Sequence, residues 1–261
     1  CKCIVRNGTG FDTVDVAAAT CRDIPVYNVP DYGTDEVADQ SIALALALCR
    51  QIIPNHEHCK GLGWDVQNKS KIRRFKDMYF GVIGLGRIGT SVALKAKALG
   101  FNVCFYDPYI PDGTDKSLSL KRCEKLNDLI DNMDVISINC PLTDETHHMI
   151  THKQINRMRS NAFIVNTARG PIIKKDDLFR ALKKGKLGGA ALDVIENEPL
   201  KTAEEGETPN LIVTPHCGFY SLESFREMKF KAASTAYGVL MGFTSPKNCI
   251  NYKMLPRHFR K

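Results

Sequence analysis

The sequence predicts an α/β protein built around a doubly wound parallel sheet, and three observations predict it. From about residue 78 onwards, short apolar strands alternate with amphipathic helices. The strands are apolar almost throughout, which is typical of a parallel sheet covered by helices on both faces. A glycine-rich loop, Gly84–Gly89, directly follows the first of these strands and begins a helix.

The apolar runs predict the individual elements. Strands are predicted in chain order at Tyr79–Gly84, Asn102–Tyr106, Asp134–Asn139, Ala162–Asn166, Ala190–Asp193 and Leu211–Thr214. Helices are predicted between them at Arg87–Leu99, Cys123–Asn132 and Asp176–Lys184. The flanks differ, with two extended pieces at Ile4–Val5 and Pro25–Asn28 and helices at Val14–Thr20, Asp35–Ile53 and Leu222–Met241. We expect these flanks to pack together as a second domain that the central unit interrupts.

The composition argues against several other classes of protein. The chain has 261 residues, of which 43% are hydrophobic and 25% charged, so disorder is not indicated. No apolar run approaches the roughly 18 residues that span a bilayer, and Ile42–Cys49 is interpreted as part of a buried helix. The net charge of +7 could suggest nucleic-acid binding, but the Lys and Arg residues are scattered along the chain, so we expect no direct nucleic-acid binding.

The ten cysteines show neither disulfide nor metal-site spacing. Cys49, Cys104 and Cys140 lie within or at the ends of apolar segments, which is typical of free thiols in a reducing compartment, so we expect a cytoplasmic protein. The segment His56–Cys59 has poor spacing for a metal, and no metal site is predicted. The chain begins at Cys1 without an initiator Met, so we expect a fragment that lacks its natural N-terminus.

The glycine-rich loop has the context of a dinucleotide-binding fingerprint. Gly84 permits a tight turn, Gly86 lets the backbone approach a pyrophosphate, and Gly89 lets the helix pack close to the strand. The helix N-terminus then points its positive end at the phosphates. Asp107 ends the second strand about twenty residues later, where it would accept hydrogen bonds from the adenosine ribose and repel a 2′-phosphate. The sequence therefore predicts a Rossmann unit that binds NAD.

Three ionisable residues follow later strands of the predicted sheet. Arg169 follows the strand that ends at Asn166, Glu198 follows the strand at Ala190, and His216 follows the strand at Leu211. Each taken singly has an ordinary explanation as a solvated surface residue. Because doubly wound sheets place ligands at the carboxyl ends of their strands, the three together predict an active site.

These motifs together resemble the signature set of the D-isomer-specific 2-hydroxyacid dehydrogenases. The matching segments are Gly84–Gly89 with Asp107, Asn166–Gly170, Asp193–Pro199 and Thr214–His216. Other segments resemble the branch of the family that contains the C-terminal-binding-protein co-repressors and their dehydrogenase relatives, namely Phe105–Tyr109, Ala190–Val194, Phe219–Ser221 and Lys247–Asn251. The resemblance extends from about Arg6 to Asn251.

The resemblance implies a role for each matching residue. His216 would be the acid/base that protonates the keto oxygen, Glu198 would hold its imidazole, and Arg169 would bind the substrate carboxylate or polarise its carbonyl. Asp193 would contact the carboxamide side of the nicotinamide, and Thr9 would lie near that ring. The implied cofactor contacts also include Gly84, Leu85, Gly86, Arg87, Ile88, Gly89, Asp107, Cys140, Pro141, Thr146, Thr167, Ala168, Arg169, His216 and Gly218. The implied substrate contacts are Arg6, Gly8, Gly10 and Phe219.

The resemblance also implies an architecture. The NAD-binding Rossmann domain would occupy residues 53–221, and residues 1–52 and 222–261 would form a discontinuous, flavodoxin-like substrate domain that is incomplete in this chain. The active site would lie in the cleft between them, and the protein would be a homodimer acting on a small 2-keto or 2-hydroxy acid.

Two points stay open at this stage. Phe219 stands where the co-repressor branch usually has Trp, and Cys217-Gly218 replaces an Ala-Ala pair, which puts the selectivity of the substrate pocket in doubt. A dinucleotide-sensing co-repressor scaffold, which would be nuclear, is the rival to an enzyme, because the co-repressors keep the same Arg, Glu and His. Phosphoglycerate and formate dehydrogenases are weaker alternatives within the enzymes.

Overall fold

The computed structural model describes residues 1–66, 72–242 and 246–256. The strands are β1 (Ile4–Val5), β2 (Val26–Tyr27), β3 (Tyr79–Ile83), β4 (Asn102–Tyr106), β5 (Lys121–Arg122), β6 (Val135–Ile138), β7 (Phe163–Asn166), β8 (Gly189–Leu192) and β9 (Leu211–Val213). The α-helices are α1 (Val16–Thr20), α2 (Thr34–Cys49), α3 (Ile52–Lys60), α4 (Arg87–Ala98), α5 (Thr114–Leu118), α6 (Leu126–Ile130), α7 (His152–Arg157), α8 (Lys175–Lys183), α9 (Ala203–Gly206) and α10 (Leu222–Met241). Short 3-10 helices lie at Phe75–Asp77, Gly170–Ile172, Pro246–Asn248 and Tyr252–Met254.

The chain divides into two compact units. The larger unit is Val37–Gly218, and the smaller unit combines Cys1–Glu36 with Phe219–Lys261. The sequence predicts boundaries at residues 52/53 and 221/222 instead. The first boundary differs because the buried face of α2, including Ala38, Ile42 and Ala45, packs into the same apolar cluster as strand residues of the larger unit.

The larger unit is organised by a parallel sheet. Among the described residues this sheet has seven strands in the order β5-β4-β3-β6-β7-β8-β9, and every pairing is parallel. From β3 the chain first moves outward through β4 and β5, and then returns to the other side of β3 with β6. This reversal confirms the predicted doubly wound sheet, and sheets of this kind usually bind ligands where the strand order reverses, here at the carboxyl ends of β3 and β6.

Neighbouring residues of each strand point into different apolar clusters. Ile83 and Ile164 belong to a cluster that includes α7 and α8 residues, whereas Val82 and Val165 belong to a cluster with α2 and α4. Alternate side chains of a strand face opposite sides of its sheet, so helices cover both faces. This burial explains why the strand sequences are apolar at nearly every position.

The predicted helix Asp35–Ile53 is interrupted in the structure. Helix α2 ends at Cys49, Gln51 has φ 52°, and α3 then runs to Lys60. The cause is Pro54, which has no N–H for an intrahelical hydrogen bond and is tolerated only in the first turn of a helix. Restarting the helix at Ile52 places the proline in that first turn.

The smaller unit joins two segments that are far apart in the sequence. Strands β1 and β2 pair in parallel. The buried side chain of Asn251 accepts a hydrogen bond from Val26 N–H at 2.9 Å and donates one to the Ile24 carbonyl at 3.0 Å. These bonds fasten the C-terminal segment to the N-terminal one. In neither unit does the described part of the chain contain a helix long and apolar enough to cross a membrane.

Candidate active site

The glycine-rich loop connects β3 to α4 at the reversal of the sheet order. Gly84 has φ +86°, and a Cβ there would lie 2.8 Å from the backbone nitrogen of Cys140. A Cβ at Gly89 would lie 1.9 Å from the Gly84 carbonyl oxygen, so only glycine fits. A Cβ at Gly86 would meet none of the described residues within 4 Å. Packing therefore requires Gly84 and Gly89, whereas Gly86 leaves open space beside the helix.

The N-terminus of α4 offers donors to an anion. Gly86 is the N-cap and has no side chain to accept from the first turn. The N–H groups of a first turn lack partners within the helix and carry the positive end of its dipole. The residues predicted to bind the cofactor at Gly84, Leu85, Gly86, Arg87, Ile88 and Gly89 thus lie together around a helix N-terminus.

Asp107 lies at the end of β4 and holds this loop directly. Its Oδ2 accepts a hydrogen bond from Leu85 N–H at 2.7 Å, and its Oδ1 accepts one from Tyr109 N–H at 2.9 Å. Each carboxylate oxygen has a second lone pair, so the side chain can still accept from a ribose hydroxyl. The structure thus adds a loop-supporting contact to the role that the sequence predicts.

The loop that follows β6 lies against the glycine-rich loop at Cys140. The Thr146 hydroxyl donates to the Pro141 carbonyl at 2.7 Å and accepts from Thr143 N–H at 2.8 Å, which closes the loop on itself. Burial raises the pKa of the Cys140 thiol to about 12, so this cysteine is a neutral side chain at physiological pH. Its predicted neighbours Pro141 and Thr146 occupy the same loop.

The turn after β7 presents Arg169. The buried Asn166 side chain accepts from Ala168 N–H at 3.0 Å and donates to the Arg169 carbonyl at 2.9 Å, so it defines the turn. The Arg169 guanidinium is half-buried and donates to the Ala168 carbonyl at 2.6 Å. A Cβ at Gly170 would lie 2.1 Å from the backbone of Ile195, so this turn packs closely against the loop that follows β8.

Asp193 organises the loop that follows β9. Its Oδ1 accepts from the Thr214 hydroxyl at 2.6 Å and from Cys217 N–H at 3.0 Å, and its Oδ2 accepts from Gly218 N–H at 2.8 Å. Its backbone carbonyl accepts from His216 N–H at 2.9 Å. The carboxylate is buried, and most of its acceptor capacity is used within the protein. The structure therefore gives Asp193 a positioning role in addition to the predicted contact with the nicotinamide.

His216 and Glu198 form a hydrogen-bonded pair. Nδ1 of His216 lies 3.0 Å from Glu198 Oε2, and Oε1 of the same carboxylate accepts from Ile195 N–H at 3.3 Å. Both side chains are partly exposed, at 44% and 39%. None of the described residues hydrogen-bonds to His216 Nε2. This second ring nitrogen is therefore available to bind a ligand. His216 has φ 52°, a left-handed conformation that its bonded neighbours maintain.

The predicted site residues of the smaller unit have their own local contacts. The Arg6 side chain lies over Gly8, where a Cβ would lie 1.5 Å from Arg6 Nη1. Thr9 donates from its hydroxyl to the Val29 carbonyl at 3.3 Å. Phe219 packs edge-on against Tyr32, with ring centroids 6.3 Å apart. Two sets of contacts stay predictions. These are the nicotinamide contact of Thr9 and the substrate contacts of Arg6, Gly8, Gly10 and Phe219.

Helix α2 contributes two supporting residues that belong to none of the sequence motifs. Ser41 is fully buried, and its hydroxyl lies 2.6 Å from that of Thr167. Gln40 donates to the Thr214 hydroxyl at 3.2 Å. Through these bonds α2 holds the turns after β7 and β9. The signal that could have found them is two polar residues immediately before the apolar run that begins at Ile42.

Comparison with known proteins identifies related chains. A family model described as "D-isomer specific 2-hydroxyacid dehydrogenase, NAD binding domain" matches residues 42–218. The chain is 39% identical over 256 residues to a D-3-phosphoglycerate dehydrogenase of Methanocaldococcus jannaschii, covering 98% of this chain and 48% of that protein. It is 32% identical over 258 residues to a glyoxylate reductase of Korarchaeum cryptofilum, covering 97% of this chain and 77% of that protein.

A solved structure shows the same fold. The crystal structure of D-lactate dehydrogenase from Aquifex aeolicus, complexed with NAD and lactic acid, matches with a TM-score of 0.85 and 30% identity. The match covers 93% of this chain and 77% of that one. The chain thus spans about half the length of the Methanocaldococcus relative and about three quarters of the other two proteins. The predicted resemblance to the co-repressor branch stays a prediction.

Proposed function

Because this chain belongs to the D-isomer-specific 2-hydroxyacid dehydrogenase family, we propose that it interconverts a 2-keto acid and a D-2-hydroxy acid with NAD as the hydride carrier. The observation that carries the proposal is the His216–Glu198 pair, which lies at the same edge of the sheet as a glycine-rich dinucleotide loop. An imidazole held by a carboxylate, with its second nitrogen open, is a suitable acid/base group.

The residues at the carboxyl edge of the sheet fit a dinucleotide. The open space at Gly86, together with the uncapped N-terminus of α4, suits a pyrophosphate. Asp107 supplies an acceptor for ribose hydroxyls at the end of β4. The family model that matches this unit describes an NAD-binding domain. When bound, the reduced nicotinamide supplies the hydride for the keto carbon.

His216 and Glu198 would carry the proton of the reaction. In keto-acid reduction, Nε2–H of His216 would donate its proton to the keto oxygen, and in hydroxy-acid oxidation Nε2 would take that proton back. The Glu198 carboxylate accepts the hydrogen bond from Nδ1–H, which fixes the ring orientation and balances the charge of the imidazolium. Asp193 supports this arrangement because it holds the backbone of the His216 loop.

Arg169 would bind the acidic end of the substrate. A guanidinium offers donors in a planar fork that matches a carboxylate, which a lysine ammonium does not. The turn that presents Arg169 is held by Asn166 and packed against the backbone of Ile195, so its backbone is well constrained. The expected substrate is therefore a small 2-keto or 2-hydroxy acid. The predicted homodimer and cytoplasmic location stay predictions.

The decisive test is a survey of keto acids by NADH oxidation. The panel should contain glyoxylate, pyruvate and 3-phosphohydroxypyruvate, which correspond to the acids in the names of the relatives. Hydroxypyruvate and bulkier keto acids complete it. We expect turnover on the order of 1–10³ per second with at least one acid, and a D-hydroxy acid as the product. Rates far below this with every acid, alongside tight NADH binding, would favour a dinucleotide-sensing scaffold instead.

We expect NADH to bind more tightly than NADPH, because the Asp107 carboxylate repels a 2′-phosphate. Asp107→Asn removes the charge and keeps an acceptor oxygen for one of the two backbone N–H groups, so it should narrow the preference for NADH over NADPH by about tenfold. A tenfold change is about 1.4 kcal/mol, which lies between the roughly 1 kcal/mol of two unit charges about 4 Å apart in bulk water and the roughly 4 kcal/mol near a protein surface. Fluorescence titration with both cofactors measures the ratio of the NADPH and NADH dissociation constants.

The matched control is Asp112→Asn, because Asp112 is an exposed carboxylate in the same loop. This variant should leave the ratio of the two dissociation constants unchanged. Tighter NADPH binding by the unmutated chain would contradict the prediction.

A further inference from the structure

The loop after β8 carries a second glutamate with its own histidine. Glu196 lies two residues before Glu198, and its Oε1 lies 2.6 Å from Nε2 of His148. Its Oε2 accepts from the backbone N–H of Lys175 at 3.1 Å. Glu196 therefore takes no part in the His216–Glu198 pair. The two carboxylates of this loop each face a different histidine.

A third side chain completes a cluster around Glu196. His147 precedes His148, and the two rings stack with centroids 4.0 Å apart and planes inclined by 29°. The two histidines lie in a hydrogen-bonded turn, in which His147 N–H donates to the Thr143 carbonyl at 2.8 Å. His148 has φ 49°, a left-handed conformation of this turn. One ligand atom from each of His147, His148 and Glu196 lies within 4.8 Å of the other two.

The backbone around this cluster is firmly held. The N–H of His148 donates to the Pro171 carbonyl at 2.8 Å. Two residues later the fully buried Ile150 forms a bridge to Ile173. On the other side, Glu196 is fixed by the start of helix α8 through Lys175. The positions of His148 and Glu196 are thus determined by the fold rather than by their mutual hydrogen bond alone.

We propose that His147, His148 and Glu196 form a binding site for a divalent transition-metal ion, of which Zn²⁺ is the best match. Two imidazoles and one carboxylate are ligands that Zn²⁺ prefers, and three protein ligands leave one tetrahedral position for water. Tetrahedral ligands at about 2.1 Å from the metal lie about 3.4 Å from each other. Reaching that geometry requires the His148–Glu196 contact to open slightly and His147 to rotate inward. His147 is exposed, so its ring can leave the stack on His148 and turn inward through solvent.

The site is separate from the proposed acid/base pair but shares with it the loop that follows β8, and its other loop is the predicted cofactor loop that follows β6. His147 and His148 directly follow Thr146, in the loop that begins at Cys140, and Glu196 belongs to the loop that carries Glu198. A bound ion would therefore join these two loops of the larger unit. A hydrogen bond between His148 and Glu196 explains that pair by itself, but it gives no role to the stacked ring of His147.

Metal binding by the whole chain tests the proposal. The chelator-treated protein is titrated with Zn²⁺ by calorimetry and with Co²⁺ by visible absorption, which distinguishes imidazole and carboxylate ligands from the thiolates of the ten cysteines. We expect one ion per chain at this site and Co²⁺ bands without thiolate charge transfer. Glu196→Gln and His148→Asn should each weaken binding by about 10–100-fold or more, since even the loss of an outer-shell partner costs this much.

His147→Asn is the decisive variant. The side chain of His147 is exposed, so we expect its replacement to leave the fold intact. It should weaken binding as strongly as His148→Asn. His152→Asn is the matched control, since His152 is another histidine of this unit bonded to a carboxylate, Asp177, and it should leave metal affinity unchanged. His216→Gln should likewise leave it unchanged, which separates this site from the acid/base pair. Equal Zn²⁺ affinity in the His147→Asn variant and the unmutated chain would overturn the proposal.

Discussion

Replacing His216 by glutamine is expected to reduce keto-acid turnover by about 10²–10⁴-fold, the usual contribution of a general acid. Glutamine can still donate a hydrogen bond but cannot release a proton at neutral pH, so the keto oxygen would lack its proton source. NADH affinity should stay nearly unchanged, because the glycine-rich loop and Asp107 are proposed to bind the other end of the cofactor. Steady-state NADH oxidation and a fluorescence titration measure the two effects separately.

Two further variants control this result. Glu198→Gln keeps a hydrogen-bond acceptor for Nδ1 and leaves the imidazole in place, so it should cost less than the loss of His216 itself. His152→Gln removes a histidine from an exposed position on α7 and should leave turnover unchanged. A loss of less than about tenfold in the His216→Gln variant would point to another proton donor.

Replacing Gly89 by alanine is expected to destabilise the larger unit strongly. The added Cβ would lie 1.9 Å from the Gly84 carbonyl oxygen, which belongs to the backbone and cannot rotate away. Helix α4 and the loop must then separate, at a cost of about 2–3 kcal/mol in the free energy of unfolding. In a chain of this size the corresponding fall in Tm is about 4–12 °C. NADH binding should be lost as well, because the helix N-terminus moves away from the loop.

Gly86→Ala provides the matched comparison in the same loop. Its Cβ would meet none of the described residues within 4 Å, and φ of −71° suits any residue. The free energy of unfolding should therefore change by less than about 0.5 kcal/mol. NADH affinity should still fall, because the methyl group would occupy the space proposed for the pyrophosphate. A Gly86→Ala variant that is as unstable as Gly89→Ala, or that binds NADH normally, would contradict this account of the loop.

The sequence predicts best the features that depend on neighbouring residues. The apolar run at Tyr79 predicts β3 to within one residue, and the strands around Asn166 and Leu211 are predicted equally closely. Buried parallel strands require apolar side chains on both faces, so their pattern is visible in the sequence alone. Short polar elements leave no such pattern. The sequence therefore predicts neither helix α5 nor strand β5. Strand β5 is extended because it pairs with β4.

The extent of helix α2 shows how a local rule and the fold act together. The apolar run predicts a helix through Ile53, and the structure ends it at Cys49 because of Pro54. The same helix carries Gln40 and Ser41, which the sequence presents only as two polar residues beside an apolar run. Their hydrogen bonds to Thr214 and Thr167 reach 174 and 126 residues along the chain. No local pattern encodes such a contact.

The sequence by itself determined the parallel sheet, the dinucleotide loop and the identities of Arg169, Glu198 and His216 as candidates, because apolar periodicity and glycine spacing are local properties. Only the tertiary structure decided how these residues are held. The Asp193 carboxylate accepts hydrogen bonds from the backbone of the His216 loop. Glu196 lies close to His148 and His147, which precede it by 48 and 49 residues in the sequence. Hydrogen bonds act over about 3 Å, so their partners are set by which loops the sheet brings to one edge, and the order of strands in the sheet decides that.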